Sequence, residues 1–342
     1  IGIVKERDIR KYHKKVSSTE IIYEEDPAIP NITEGKVNET FLNYLQSDSV
    51  FKDLDSEFKI YLYRQNGAKI GNKVVIGRGS IIISSYLVIE DEAEIGEGCY
   101  IKTKQFRIGR MSIIGNNANI ITRSVYIGDV LFSGNNILVG GGGAYGKDSG
   151  LKIGDNCLIS SRCVINTASP VIIGNEVGLS SNVQLFTHNH WQNVLEGYKA
   201  NFGPITIGDK AYVTGSCLIV PNVRVGKGAT ILANSLVVED IDEYTVACGV
   251  PAKPVYKVDP NIDTEKKEKI IKRIMLELNE ELSFRGFDPK EVAYIGEYKP
   301  EREKGKYKVV LTFDVIAKLE KVPGDIAIFD LTNYRFIGRE TT

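Results

Sequence analysis

Histidine is the scarcest reactive residue in this chain. Only three occur among 342 residues, together with a single Trp. His13 lies far along the chain from the pair His188 and His190. A catalytic metal site with an open position commonly needs three protein ligands, often all histidines. The spacing of the histidines therefore argues against such a site, and we expect no metal.

The chain also lacks an excess of charge of either sign and any long apolar run. It has 43 basic and 44 acidic side chains, a formal net charge of -1. A nearly neutral chain is not typical of proteins that bind nucleic acid or an anionic membrane surface. No apolar stretch reaches the roughly 18 residues that span a bilayer, and no signal-peptide pattern is visible. The sequence therefore predicts a cytoplasmic protein with no membrane span.

A repeat of six residues dominates the middle of the chain and is cleanest over 207–242. A period of six fits neither an α-helix, which repeats near 3.6, nor a free strand, which repeats near 2. Three short strands per turn of a solenoid stack one inward residue at each corner and give this period. The sequence therefore predicts a parallel β-helix. The apolar residues at every sixth position are Ile207, Val213, Ile219, Val225, Ile231 and Val237.

The repeat begins at Ile70, and its restarts differ by about one residue from an ideal turn of eighteen. Bulges at the corners would absorb these shifts. Four of the five cysteines fall on the small position of the hexads, and we expect them to be buried core residues rather than disulfides or metal ligands. These are Cys99, Cys157, Cys163 and Cys217.

Two stretches depart from the repeat. Residues 138–151 include four consecutive glycines and nearly match a phosphate-binding loop, but Asp148 occupies the position of the hydroxyl and hexads follow instead of a helix. A loop at the rim is the favoured interpretation. Residues 192–203 form a second loop, directly after His188, His190 and Trp191. Because loops on rigid scaffolds often carry sites, we place the candidate site there.

The two ends of the chain do not carry the repeat. Residues 1–66 are predicted to be irregular and then helical, with a second helix after the cap signal Asp48-Ser49. Residues 259–342 are predicted to be a helix followed by a small α+β appendage with three strands from Tyr307 onwards. The helix would bury Ile270 or Ile271, Ile274, Leu278 and Leu282. The predicted fold is thus mainly β, with the β-helix over 67–258, a helical N-terminal cap and this appendage.

Three segments carry a resemblance to a known family. Residues 182–190, the excursion that ends at 204–209, and the Gly-Val-Pro-Ala-Lys stretch at 249–253 resemble the hexapeptide-repeat acyltransferases. The nearest likeness is to the maltose, galactoside and xenobiotic acetyltransferase branch. It covers 153–258 well, 70–139 only as generic repeats, and the ends not at all.

The resemblance implies a left-handed β-helix, a homotrimer with sites between neighbouring solenoids, and acetyl-CoA bound along the last turns. It also implies a histidine that deprotonates the acceptor, which attacks the thioester directly. Counting from Asn182 places the family's catalytic residue on His190, and counting back from Pro204 places it on His188. We expect His190 to be the base, with His188 as the other candidate. An imidazole with a pKa near 6.5 suits proton transfer at neutral pH.

By the same resemblance, a set of residues late in the solenoid would contact the coenzyme, with Lys253 near its phosphates. Thr214 and Leu232 depart from the family, which usually has Gly at these positions, so the detailed contacts can differ. The remaining coenzyme contacts would come from Gly215, Ala233 and Asn234.

Two residues are candidates for contact with the acceptor. Trp191 would either stack on a sugar ring or pack against other residues of the protein. Asn166 stands where several sugar-specific relatives place an acidic residue one turn before the histidine, so the acceptor can differ from theirs.

The function predicted on this basis is acetyl-CoA-dependent O-acetylation of a saccharide hydroxyl. Transfer to an amine is a second possibility, although the nucleotide-binding N-terminal fold of some amine acetylators is missing. A non-catalytic scaffold is a third. A zinc enzyme of the γ-carbonic anhydrase kind is set aside because the repeats hold only two histidines.

Overall fold

The computed structural model describes residues 29–47, 50–143, 146–284, 308–312, 326–330 and 335–337. The chain divides into two compact units, residues 1–258 and 259–342. The first unit carries two α-helices, α1 (Glu39–Ser47) and α2 (Ser56–Gln65), with a 3₁₀ turn (Phe51–Asp53) between them. Most of its strands are two to five residues long, and they follow one another at the spacing of the hexads.

The strands of the first unit are β1 (Lys69–Ile70), β2 (Val75–Ile76), β3 (Ile81–Ile89), β4 (Glu94–Ile95), β5 (Tyr100–Ile108), β6 (Ile113–Ile114), β7 (Asn119–Ile121), β8 (Ser124–Ile127), β9 (Phe132–Ser133), β10 (Leu138–Gly140), β11 (Gly150–Ile153), β12 (Leu158–Ile159), β13 (Val164–Ile165), β14 (Val171–Ile173), β15 (Gly178–Leu179), β16 (Gln184–Leu185), β17 (His188–Asn189), β18 (Asn201–Phe202), β19 (Ile205–Ile207), β20 (Tyr212–Val213), β21 (Leu218–Ile219), β22 (Arg224–Val225), β23 (Thr230–Ile231), β24 (Leu236–Val237), β25 (Thr245–Gly249) and β26 (Ala252–Lys257).

These strands form a parallel solenoid of about nine turns with three stacks of strands. One stack runs from β2 to β25 and ends in the antiparallel hairpin β25–β26. The other two merge into a single fourteen-stranded sheet, because β3 and β5 are nine residues long and continue around the corner between them. The parallel β-helix expected from the hexads is confirmed, with the left-handed sense that the family resemblance implied.

Parallel register brings each inward side chain onto its counterpart in the next turn. In one stack the pairs run from Ile70 to Ile89, Ile108 and Ile127, which are nineteen residues apart rather than eighteen. The extra residue lies at the corner that β3 and β5 round without a break. The columns form one buried apolar core, and the four cysteines of the hexads lie within it as expected. All four thiols are free.

The sharp corners depend on close approach of successive turns. Gly174 lies so near the next turn that a Cβ there would stand 2.3 Å from Asp209 Oδ1 and 2.7 Å from the Asp209 amide nitrogen. At this corner the side chain of the later turn also accepts a hydrogen bond from the amide of the turn before it. The amide of Asn175 donates to Asp209 Oδ1 at 2.8 Å, and the amide of Asp155 donates to Asn175 Oδ1 at 2.8 Å. The Gly-Asp and Gly-Asn pairs of the hexads are thus steric and hydrogen-bonding requirements.

The helices cover the first turn of the solenoid. Asn38 caps α1, since its Oδ1 accepts the Thr40 amide at 2.8 Å. Phe51 and Tyr63 pack edge to face at 5.2 Å, and the buried Tyr63 hydroxyl bonds to both the amide and the carbonyl of Ile82 at 2.9 Å. Lys59 donates from Nζ to the Gly77 carbonyl at 2.7 Å. These contacts satisfy part of the exposed strand edge, as a terminal repeat requires.

The second helix starts later than the sequence indicated. The prediction placed its start after Asp48-Ser49, which lie outside the described residues. The segment Phe51–Asp53 instead forms its own 3₁₀ turn, and α2 begins at Ser56 after Asp55, whose side chain makes no capping hydrogen bond. Phe51 leaves the helix because its ring fills the buried aromatic cluster against Tyr63.

The second unit contains α3 (Thr264–Phe284) and three strands, β27 (Lys308–Thr312), β28 (Ile326–Asp330) and β29 (Arg335–Ile337). β28 pairs in parallel with β27 and antiparallel with β29. On α3, Ile271 is buried while Ile270 and Ile274 are exposed. The side chains of the other two residues of the predicted face, Leu278 and Leu282, lie outside the described set. No helix in the described segments has the length and apolarity to cross a membrane.

Substituting alanine at a tight corner should destabilise the solenoid. For Gly174→Ala we expect a loss of about 1–3 kcal/mol in the free energy of unfolding, because the methyl group meets backbone of the next turn. Gly146→Ala is the matched control. Its Cβ would lie 3.5 Å from the nearest atom, so a change within about 0.5 kcal/mol is expected. Urea unfolding followed by circular dichroism measures both, and equal losses would contradict this account of the corners.

Candidate functional site

Both excursions from the solenoid leave at the same corner. Residues 141–149 connect β10 to β11, and residues 186–204 connect β16 to β19. Between them, one turn rounds the same corner tightly from β13 to β14. The stacking of the turns therefore brings two loops, far apart in sequence, to the two sides of one short corner that starts at Asn166.

Asn166 is buried and its amide group is fully oriented. Its Nδ2 donates to the Gly140 carbonyl at 3.2 Å, so its Oδ1 is the acceptor. The Thr187 hydroxyl donates to that Oδ1 at 2.7 Å, and the Ala168 amide lies 3.3 Å from it. Thr187 Oγ1 in turn accepts the Ser169 amide at 3.0 Å. This network fixes which end of the Asn166 side chain points outward.

The imidazole of His188 completes the same network. Its Nδ1 lies 2.9 Å from Asn166 Oδ1. Because that oxygen can only accept, Nδ1 must carry the proton. In the neutral ring Nε2 then holds the free lone pair, and it is the atom that can take a proton from a substrate.

Two further contacts hold the ring of His188. A Cβ on Gly142 would come within 2.1 Å of His188 Cε1, so only glycine fits beside the imidazole at this point of the first excursion. Phe202 also stacks on the ring, with centroids 5.7 Å apart and planes 23° apart. The antiparallel pair β17–β18 sets this second contact, with His188 opposite Phe202.

His190 lies on the open part of the second excursion. Its ring is tilted by 51° to Phe202 at 6.2 Å, and no hydrogen-bond partner for it exists among the described residues. Trp191 beside it is 93% exposed, and Leu195 is 91% exposed. His188 is thus the histidine with a defined orientation, whereas His190 and Trp191 lie in solvent.

The sequence did not indicate Gly142 or Phe202, and it predicted that Asn166 contacts the acceptor rather than the histidine. The hexads carried one signal. Polar residues replace apolar ones in the inward column at this corner, and a buried hydroxyl set implies a hydrogen-bonded network. Thr122, Ser149 and Thr167 belong to it, with Thr167 Oγ1 2.8 Å from Thr122 Oγ1. No sequence pattern indicated Phe202, because it reaches the site through a hairpin inside the loop.

The predicted coenzyme contacts lie late in the solenoid, and the side chains of Thr214 and Lys253 have partners within the protein. The Thr214 hydroxyl donates to the Ile231 carbonyl at 2.8 Å, so it is directed along the solenoid. Lys253 Nζ pairs with Glu239 at 3.1 Å, and both side chains are more than half exposed. An exposed pair of this kind contributes little stability, so the ammonium group remains available to a stronger anion.

The corner that follows the β2–β25 stack changes character along its length. In the early turns a side chain of the next turn accepts the corner amide, as Asn116 Oδ1 does for Glu97 at 2.8 Å and Ser161 Oγ does for Asn135 at 3.0 Å. In the late turns the corner residues are Gly215 and Ala233, and their amides have no partner among the described residues. Open amides of this kind can bind the carbonyl or phosphate oxygens of a ligand.

Cysteine and metal chemistry find little support at this site. Burial raises the pKa of the Cys157 and Cys163 thiols to about 11, so both are protonated at neutral pH and are poor nucleophiles. Across the described residues no group of three or more His, Cys, Asp or Glu is placed to hold a metal ion. The histidine pair remains the main source of acid–base chemistry here.

Two curated relatives of this chain are named as putative acetyltransferases. "Putative acetyltransferase YJL218W" of Saccharomyces cerevisiae is 37% identical over 113 residues, which are 32% of this chain and 57% of that protein. "Putative acetyltransferase SAV2555" of Staphylococcus aureus is 32% identical over 118 residues, which are 34% of this chain and 59% of that protein. The expected resemblance to acetyltransferases is confirmed. The chain spans about half the length of the curated relatives it matches, and no protein-family model matches it.

Solved structures with some likeness carry similar names. The maltose O-acetyltransferase from Clostridium difficile 630 is 25% identical with a TM-score of 0.33, over 41% of this chain and 70% of its own. A hexapeptide-repeat acetyltransferase of Vibrio cholerae, complexed with acetyl coenzyme A, is 23% identical with a TM-score of 0.33. The match covers 38% of this chain and 71% of that one. At these scores the likeness carries no functional argument.

The hydrogen bond to Asn166 should fix the tautomer of His188. In ¹⁵N spectra of the histidine rings at pH 8, we expect His188 to show a protonated Nδ1. His190 serves as the internal control, because it lacks an oriented acceptor and should show the mixture of an exposed imidazole. Asn166→Ala should return His188 to that mixture. A wild-type His188 protonated on Nε2 would contradict the assignment.

Proposed function

We propose that the protein is an acetyl-CoA-dependent O-acetyltransferase that acts on a saccharide hydroxyl, with His188 as the general base. The observation that carries this choice is the 2.9 Å contact from His188 Nδ1 to Asn166 Oδ1. It orients the ring and leaves Nε2 as the proton acceptor. The sequence relatives named as putative acetyltransferases support the reaction class.

The proposed reaction is a direct transfer. Nε2 of His188 takes the proton of the acceptor hydroxyl as its oxygen attacks the thioester carbon. The new C–O bond forms, the C–S bond breaks, and the imidazolium returns its proton to the departing thiolate. General base catalysis of this kind contributes about 10²–10⁴ in rate. Asn166 Oδ1 can hold the ring during both proton transfers, because Nδ1 donates to it in the neutral ring and in the imidazolium.

The proposed coenzyme site lies along the late corner with the open amides. The amides of Gly215 and Ala233 would bind carbonyl groups of the pantetheine arm, and Asn234, with a φ of 61°, keeps the corner narrow. Lys253 would exchange its exposed partner Glu239 for a phosphate of the nucleotide. Thr214 would add little, because its hydroxyl already donates to Ile231.

The proposed assembly is a homotrimer. The second excursion exposes several large apolar side chains, which a neighbouring subunit would cover. Trp191 is the most exposed of them and would lie beside the acceptor at such a boundary, where an indole can stack on a sugar ring. The others are Leu195, Tyr198 and Phe202.

Alanine substitution of each histidine separates the two candidate bases. His188→Ala should lower kcat for acetyl transfer by about 10²–10⁴ and leave the affinity for acetyl-CoA near its original value, because only the proton acceptor is lost. His190→Ala, the matched variant two residues away, should keep kcat within about threefold. Release of free thiol at saturating acetyl-CoA across a saccharide panel is the readout. The reverse pattern would restore His190 as the base.

Removing one open amide should weaken coenzyme binding. Ala233→Pro deletes a single N–H donor from a corner whose next residue, Asn234, has a positive φ. The chain already tolerates this pair elsewhere, since Pro221 precedes Asn222, whose φ is 64°. We expect about a tenfold loss of acetyl-CoA affinity by calorimetry, the size of one net hydrogen bond to a polar ligand. The free energy of unfolding without coenzyme is the control and should not change. Unaltered affinity for acetyl-CoA would show that the coenzyme does not bind at this corner.

A further inference from the structure

A cavity of about 430 Å³ lies on the solenoid side of the first excursion. Ser149 lines it, and Ser149 Oγ is 3.1 Å from Thr122 Oγ1, which lies 2.8 Å from the hydroxyl of Thr167, the residue after Asn166. The cavity and the candidate base therefore share one corner of the solenoid. Its other walls include the residue that precedes β14, Pro170, and the one that precedes β19, Pro204.

Three cations line this cavity against one carboxylate. They are Lys104, Arg123 and Lys147, and Asp148 is the only acid among the lining residues that the structure describes. The chain as a whole has a net charge of -1, so the local excess of positive charge is not a property of the general surface. No ion-pair partner for any of the three cations exists among the described residues.

The stacking of turns places two of these cations at equivalent positions. Lys104 and Arg123 occupy the same corner position in successive turns, since the Lys104 amide donates to the Arg123 carbonyl at 2.8 Å. Two stacked positions elsewhere pair opposite charges. Lys73 lies 3.0 Å from Glu92, and Arg110 lies 2.7 Å from Asp129, in each case across one turn of nineteen residues. Like charges in neighbouring positions repel, and an anion between them would remove the repulsion.

The N-terminal segment closes one side of the cavity and gives it a built shape. Asn31 and Gln105 bond to each other through their side chains, and the Ile32 amide lies 3.5 Å from Gln105 Oε1. Ile29 rests on Gly150, where a Cβ would lie only 2.6 Å from its Cδ1. The cavity thus combines an apolar wall, two side-chain amides and a cationic edge, which suits a small polar ring with a negative group.

We propose that this cavity binds the carboxylate or phosphate group of an acidic sugar. Arg123 is the main contact, since a half-buried guanidinium can bond such a group through two parallel N–H donors. Lys104 and Lys147 add charge at the mouth. This inference rests on the proposed function for its claim that the sugar is the acetyl acceptor, but binding itself needs no coenzyme.

Calorimetry on the full chain with three probes tests the binding. D-glucuronate supplies a carboxylate, glucose 6-phosphate supplies a phosphate, and glucose is the neutral control. We expect at least one anionic sugar to bind at least tenfold more tightly than glucose, and the tighter of the two identifies the group. Arg123→Gln should lower that affinity at least tenfold, and Lys104→Gln should lower it less. Lys52→Gln removes a cation next to the N-terminal helices and should have no effect.

The outcomes separate this inference from the proposed function. Equal affinity for glucose and both anions, or an Arg123→Gln variant that binds anionic sugars as well as the original, would overturn the cavity's assignment. If transfer from acetyl-CoA to the anionic sugars were lost in His188→Ala and unchanged in Arg123→Gln, the proposed reaction would be supported and the anion site would be wrong. If Arg123-dependent binding occurred without any acetyl transfer, the site would stand and the proposed reaction would fall.

Discussion

The parallel register between successive turns is the constraint on which the rest of this molecule depends. Each inward side chain lies on its counterpart one turn later, as Ile89 does on Ile108, so the core is a set of columns. A column tolerates no insertion within a strand, because a shift of one residue would turn the apolar face outwards. Insertions are therefore confined to corners. Both long ones in this chain leave at a single corner, and that coincidence assembles the candidate site.

The corner itself replaces apolar packing by hydrogen bonds. Buried hydroxyl and amide groups are stable only when nearly all are paired. Here Thr187, Thr167 and Thr122 have partners on other turns, and Asn166 uses both ends of its amide group. The solenoid thus supplies a rigid acceptor to a histidine that lies at the edge of a loop. Rigidity on one side and openness on the other are what a general base requires.

Much of the fold could be predicted from the residues alone, because the hexad period has one structural solution. The positions of the turns, the buried cysteines and both excursions follow from counting. The start of α2 could not be predicted, since the ring of Phe51 is drawn into a tertiary cluster that no local cap signal encodes. The parallel pairing of β27 and β28 in the second unit also depends on contacts that periodicity does not describe.

The candidate site was only partly predictable for a similar reason. Both histidines, Asn166 and the loop that follows could be found, but counting from Asn182 and from Pro204 gave different bases. Loop length breaks the register that makes counting valid. The Asn166–His188 pair joins residues 22 apart, and their contact depends on how many residues each corner holds. Gly142 and Phe202 reach the ring from two separate loops, so only the assembled structure relates them.

A structure of the protein with bound acetyl-CoA tests the central claim most directly. The account predicts the coenzyme along the corner of Gly215 and Ala233, with its thioester on the Nε2 side of His188. The space left there should place an acceptor oxygen about 3–3.5 Å from the thioester carbon. If the thioester lay beside His190 and far from His188, the choice of base would be wrong. If the coenzyme bound away from both histidines, the proposed reaction would be wrong.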